Sequence, residues 1–213
     1  MMKQHFAFFG PLPFELLFHS PEPAGEGFLF EDEKVTVTPI PLKHRTLTYG
    51  YLFREKKKAL NIRKERIEAL GLGIADIVKV KQGEDYVNGR GDVVPNHELT
   101  FPPYRQRSYA YISDTVFDPG LADLVRDVDL LFHEATFSHK DEKLARETLH
   151  STSFQAATIA KMAGAGRLLI GHFSSRYKDH GHLVEEAREI FKETEGVSDG
   201  DTYSVPLKRV ATE

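Results

Sequence analysis

Three times in this 213-residue chain a short apolar run ends and residues able to bind a metal or move a proton follow at once. The three stretches are Tyr111-Ile112-Ser113-Asp114-Thr115, Leu131-Phe132-His133-Glu134-Ala135 and Leu169-Ile170-Gly171-His172-Phe173. Apolar runs this short, bounded by turn residues, read as strands. Ligand sites in layered α/β chains gather where strands end, because the sheet fixes direction and the loop supplies access. Three such ends, carrying Asp, His-Glu and His, can converge on one point. His44, in Pro41-Leu42-Lys43-His44-Arg45, stands in the same position behind a fourth run. Imidazole nitrogen and carboxylate oxygen suit zinc or another divalent ion, and one carboxylate can bridge two cations. A single histidine behind a strand is more often an ordinary hydrogen-bonded residue than a ligand. It is the shared placement of these residues that sets them apart.

The chain has no cysteine, so any metal must be held by histidine and carboxylate, and a disulfide scaffold is excluded. A cytoplasmic location is the expectation. No apolar run reaches 18 residues, which predicts no transmembrane helix. The opening Met1–Phe9 is apolar but is cut by Gly10, Pro11 and Pro13, and reads as interior protein, not as a signal peptide. The net charge of −4 lacks the overall basic signature of many nucleic-acid binders, so the distribution of charge matters more than its sum.

Further strands are expected at Phe14–Phe18, Phe28–Phe30, Val35–Ile40, Tyr49–Phe53, Asp129–Phe132, Arg167–Ile170 and Thr202–Val205, with Glu31–Lys34 as a turn. Helices are expected over 139–149, 152–163 and 180–193, with Ser151 or Thr152 as N-cap and Gly164 and Gly166 as stops for the second. Alternating strands and helices predict an α/β layered fold. Residues 55–107 differ: a basic cluster (Lys56, Lys57, Lys58, Arg63, Lys64, Arg66) precedes a Gly- and Pro-rich stretch, and periodicity is confined to a short helix near 61–70. This segment reads as a protruding arm inserted into a single domain spanning 1–213. A solvated face explains its charge best, although the same residues could contact RNA phosphates. His150-Ser151-Thr152 stands at a helix start, where capping accounts for the hydroxyls but not for the histidine, a residue suited to proton transfer near neutrality.

Taken in series, Pro41-Leu42-Lys43-His44-Arg45 with Tyr49-Gly50-Tyr51, Ser113-Asp114-Thr115, His133-Glu134-Ala135-Thr136-Phe137, His150-Ser151-Thr152 and Gly171-His172-Phe173-Ser174-Ser175-Arg176-Tyr177 resemble ribonuclease Z, from about residue 14 onward. The resemblance implies a metallo-β-lactamase αββα sandwich and a zinc-dependent endoribonuclease that removes the 3′ trailer of precursor tRNA with a metal-activated hydroxide. His44 would bind one Zn2+ and His172 the other, with Asp114 bridging them. His150 would be the general acid, and His133, Glu134 and Arg176 would support it or contact phosphate. The arm, through Lys56, Lys57, Lys58, Arg63, Lys64 and Arg66, would grip the tRNA, and a homodimer is the expected assembly. The family's His-x-His-x-Asp-His motif, which provides two ligands to each metal, does not occur in this chain. The expectation is therefore a sandwich incomplete at its N-terminus, a truncated form whose half-site binds metal weakly. A non-catalytic RNA-binding or assembly protein of the same fold is the alternative. A small-molecule phosphodiesterase or thioesterase of that fold is disfavoured by the basic arm and the His-Ser-Thr context.

Overall fold

The computed structural model describes residue 15 and residues 27–209; apart from Glu15, the strand expected at Phe14–Phe18 lies outside them. The strands in chain order are β1 (Phe30–Glu31), β2 (Val35–Leu42), β3 (Thr48–Glu55), β4 (Asn61–Ile62), β5 (Tyr86–Val87), β6 (Val93–Val94), β7 (Thr100–Phe101), β8 (Ser108–Ile112), β9 (Leu130–Glu134), β10 (Leu168–Gly171) and β11 (Thr194–Gly196). The helices are α1 (Lys64–Leu70), α2 (Ile74–Gln82), α3 (Asn96–Leu99), α4 (Leu121–Leu124), α5 (Glu142–Thr148), α6 (Ser153–Ala163) and α7 (Gly181–Ile190). None of these helices is long and apolar enough to cross a membrane.

One sheet of order β1-β2-β3-β8-β9-β10-β11 organises the chain. Its first four strands pair antiparallel and β8 through β11 run parallel. The parallel half carries the helices because a crossover must return the chain to the starting end of the sheet. Strand alternation sends Ala110, Ile112, Leu131, Leu168 and Ile170 to one face, where they meet Leu121 and Ala122 of α4, Ala156, Ala157, Ile159, Ala160 and Ala163 of α6, and Ala187 of α7. The alanines let α6 lie close to the sheet, and each buried Ile or Leu contributes about 1.5–3 kcal/mol. Pro39 and Pro41 fit within β2 because β1 reaches only Thr36 and Val37, so that among the described residues no strand pairs with the prolines on that side. Gly50 is needed for another reason: a Cβ there would stand 2.5 Å from the Tyr111 carbonyl oxygen on β8.

The described residues thus form two layers, a sheet and one bank of helices, the mixed α/β arrangement expected of an incomplete αββα sandwich. The other sheet face presents Tyr109, Tyr111, Phe132 and Leu169, with the Tyr111 and Phe132 rings stacked at 4.8 Å. A cavity of about 320 Å³ separates these side chains from the segment Val197–Tyr203. The expected strand Thr202–Val205 is absent. That stretch has β-like composition but pairs with no strand, and only Arg209 beyond it forms an isolated bridge, with Tyr104. The sheet ends instead at β11, whose Thr194-Glu195-Gly196 has little strand propensity and is set by parallel pairing with Leu168–Ile170.

Residues 56–107 leave and rejoin the sheet at one place, since Arg54 on β3 pairs directly with Ser108 on β8. Besides the helix expected near 61–70, the segment contains α2, whose sequence periodicity is weak. Asn96 knits it together, donating to the Val80 and Glu84 carbonyls at 2.7 Å. Glu55 closes the base: it accepts from the Arg107 amide at 3.0 Å and from its Nη2 at 2.7 Å, with Lys58 Nζ at 3.3 Å. The Arg107 guanidinium brings the Glu55 carboxyl down to about 2, against burial, which opposes ionisation. A carboxyl depressed in the folded chain stabilises above its unfolded value, here 4.5, and that contribution is lost as pH falls towards about 2. Denaturant unfolding at a series of pH values is therefore expected to show a weaker acid-side loss of stability in Glu55→Gln than in the parent. Parallel acid limbs for the two chains would exclude this role.

Candidate functional site

The ends of β2, β8, β9 and β10 and the start of α6 come together at one end of the sheet. Ties between their loops make the arrangement specific. The Val116 amide donates to the Lys43 carbonyl at 3.0 Å, and Ser151 Oγ donates to the Thr115 carbonyl at 2.8 Å. Thr152 caps α6, accepting from the Gln155 amide at 3.2 Å while Gln155 Oε1 accepts from the Thr152 amide at 3.0 Å.

Asp114, His150 and His172 converge there, with one donor atom from each lying within 4.8 Å of the others. His172 Nε2 is 3.2 Å from Asp114 Oδ1. The His150 ring stands 5.3 Å from that of His172 and 5.0 Å from that of His44, centroid to centroid. Asp114 and His172 both adopt positive φ, 59° and 61°. For a residue other than glycine this left-handed backbone is costly and is kept where the surroundings enforce it, often at functional sites. Here it turns both side chains off the ends of their strands.

Glu134 is the hub. Fully buried, it accepts from the Thr115 amide at 2.8 Å and His150 Nδ1 at 2.8 Å through Oε1. Through Oε2 it accepts from the Ser151 amide at 3.1 Å, Thr136 Oγ1 at 2.5 Å and the Thr136 amide at 3.4 Å. Burial disfavours its charge, but the bonds from His150, Thr136 and Thr115 outweigh that and hold the carboxyl below its ordinary value. In return the Glu134 bond raises His150 above the usual imidazole range, with burial opposing and Asp114 assisting.

The partners also settle which ring nitrogens face inward. A carbonyl only accepts, so His44 Nδ1 donates to the Leu149 carbonyl at 3.0 Å. His150 Nδ1 donates to Glu134. Thr136 gives its hydroxyl proton to Glu134 and accepts from His172 Nδ1 at 2.8 Å. Each of the three histidines is left with Nε2 unprotonated or free to donate, an arrangement typical of metal-binding or proton-moving imidazoles.

Of the residues singled out in the sequence, the structure groups Asp114, His172 and His150, with His44 beside His150 and Glu134 beneath. His133 is placed apart. The strand runs through Glu134, so alternation puts His133 on the face of Leu131, against the helices, wholly buried. Its Nδ1 donates to the Glu134 carbonyl at 2.7 Å, Nε2 has no partner among the described residues, and burial pushes the ring below its usual range. Arg176 is exposed, its guanidinium over the Phe137 ring at 5.1 Å, and Phe137 lies beside His150. In the 55–107 segment Lys57 and Lys64 are exposed. Lys56 pairs with Glu31, Lys58 with Glu55 and Arg66 with Glu98, while Arg63 stands over Phe101. Thr136 and the Leu149 carbonyl, which orient two of the histidines, carry no signal of that role in the sequence, because each partner is distant along the chain.

No protein-family model matches the chain. Among curated proteins, "Ribonuclease Z" of Porphyromonas gingivalis W83 is 44% identical over 183 residues, which cover 86% of this chain and 60% of the relative. "Ribonuclease Z" of Bacteroides thetaiotaomicron is 40% identical over 183 residues, covering 86% of this chain and 58% of the relative. The chain thus spans about three fifths of the length of the curated relatives it matches. Among solved structures, the metallo-beta-lactamase fold protein YhfI of Bacillus subtilis superposes with a TM-score of 0.50 at 18% identity, over 79% of this chain and 48% of that one, a likeness of fold alone.

Proposed function

We propose, from the premise that this chain is related to ribonuclease Z and carries a metallo-β-lactamase fold, that it supplies part of a centre cleaving the 3′ trailer from precursor tRNA. The observation that carries this reading is the convergence of Asp114, His150 and His172 above the buried Glu134. The donor set fits a divalent cation, zinc being the first choice: two or three imidazole Nε2 atoms turned inward beside one carboxylate. When bound, such ions would neutralise charge on the scissile phosphate and activate the attacking water.

In this reading Asp114, His44 and His172 would hold the metal. Catalytic zinc usually takes three protein ligands, so two ions held by these residues alone would be bound weakly. His150 gives a proton from Nε2 to the leaving 3′ oxygen. The Glu134 bond at Nδ1 favours the charged ring that this requires. Glu134 does its work buried, by orienting His150 and, through Thr136, His172. Arg176, exposed above Phe137, meets a phosphate of the substrate. The reading is tested by incubating the chain with a 3′-extended tRNA, with and without added zinc or manganese, and mapping the product at single-nucleotide resolution. A metal-dependent cut after the discriminator nucleotide is expected; intact tRNA in the presence of demonstrably bound metal would refute it.

The 56–66 cluster is assigned to tRNA phosphates in the same reading. Neutralising Lys56, Lys57 and Lys58 together is expected to weaken tRNA binding and reduce its salt dependence, by about one unit of log–log slope for each phosphate no longer neutralised. Unchanged binding at several salt concentrations would leave these lysines as a solvated face, paired as Lys56 and Lys58 already are with Glu31 and Glu55.

A further inference from the structure

The two chain segments that lead away from the hub are gripped by a side chain outside it. Glu186, on α7, accepts from Ser138 Oγ at 2.8 Å, from the His139 amide at 3.0 Å and from Ser153 Oγ at 2.6 Å. Ser138 lies two residues beyond Thr136, and Ser153 three beyond His150. Between the segments run backbone rungs, from the Phe137 amide to the Ser151 carbonyl at 3.2 Å and from the Ser153 amide to the Phe137 carbonyl at 2.9 Å. Tyr177 adds a second tie: its hydroxyl accepts from the Ser138 amide at 3.0 Å and donates to Asp141. Burial opposes ionisation of Glu186, but the bonds from Ser153, His139 and Ser138 hold its carboxyl below the ordinary value. Its three bonds are therefore charge-assisted.

We propose that Glu186 is a positioning residue: its carboxylate fixes segments 136–139 and 150–153 at the spacing that aims the His150 and His172 rings towards Asp114. The inference rests on the reading above only in taking that group as the reacting centre. The rungs set the relative height of the two segments, and Glu186 closes them from the helix side by taking donors from both. A misplacement of about 1 Å at reacting groups can cost a hundredfold in rate, and removing groups that orient ligands typically costs tenfold to a hundredfold. Glutamine keeps the shape of Glu186 but not its charge: Ser138 Oγ would have to turn from donor to acceptor to meet the amide nitrogen, and all three bonds would lose their charge assistance.

The test uses the whole ¹⁵N-labelled chain, comparing the parent, Glu186→Gln, the Ser138→Ala/Ser153→Ala pair and all three changes combined. Long-range ¹H–¹⁵N spectra report the protonated nitrogen of each histidine ring, and thermal melting establishes that each variant is folded. In Glu186→Gln the His150 and His172 signals are expected to move away from the Nδ1-protonated positions, with exposed His97 as the unmoved control. Adding Glu186→Gln to the serine pair is expected to change little more, as residues acting through one contact are not additive. Turnover of 3′-extended tRNA is expected to fall roughly tenfold to a hundredfold with KM unchanged. Unaltered His150 and His172 signals in a folded Glu186→Gln chain would overturn the proposal. Failure of the parent to cleave tRNA would count against the reaction assigned above, and the ring signals would still decide the role of Glu186.

Discussion

Replacing Glu134 by glutamine is expected to lower folding stability by about 3 kcal/mol, the low end for breaking one side of a buried charged pair. For a chain of this size that is a fall in Tm of roughly 6–12 °C. Five donors converge on this carboxylate: the amides of Thr115, Thr136 and Ser151, the Thr136 hydroxyl and His150 Nδ1. An ionised carboxylate is acceptor only and can serve all five, whereas an amide must turn its NH2 towards some of them. Whichever way the glutamine flips, buried donors lose their partner, and three loops are loosened together. The two variants that separate charge from volume are Glu134→Gln and Glu134→Ala, the second adding a cavity and so melting lower still. Calorimetry of the metal-free chains checks both. A Tm within about 1 °C of the parent for Glu134→Gln would mean that the hub does not hold the loops.

That hub also shows what a sequence can and cannot disclose. The strand ends are legible because apolar runs such as Leu168–Gly171 stop abruptly at polar residues, and the sheet places those stops side by side. Helix α6 is legible to within a residue, since Thr152, Gln155 and Gly164 are local signals. Reading His133-Glu134 as one polar unit behind a strand fails for a simple reason. The strand continues through both, and neighbouring residues of a strand point to opposite faces, so one is spent on the core and the other on the site. Thr136, the Leu149 carbonyl and Glu186 are not legible because their bonds join residues 36, 105 and 48 positions apart. No local pattern encodes such pairs. β11 escapes a sequence reading likewise: its three residues form a strand only because Leu168–Ile170 offer a free edge.

The largest effect on chemistry is expected at His150. Changing it to alanine should lower turnover of 3′-extended tRNA by a hundredfold or more, the usual contribution of a positioned proton donor, with tRNA affinity unchanged. Affinity is expected to hold because the proposed function assigns it to phosphate contacts spread over the basic segment. Turnover suffers because an alkoxide leaving group departs slowly unless it is protonated as the bond breaks. His150 is placed for that: Nδ1 is committed to Glu134, that bond raises the ring above the usual imidazole range, and Nε2 is the nitrogen left for the group formed with Asp114 and His172. The prediction becomes sharp when the leaving group is varied. A 4-nitrophenyl phosphodiester leaves without a proton, so His150→Ala should cleave it at close to the parental rate under the same metal saturation. If both substrates slow equally, His150 serves instead as a ligand or as a prop for the loop, and the proton must come from elsewhere.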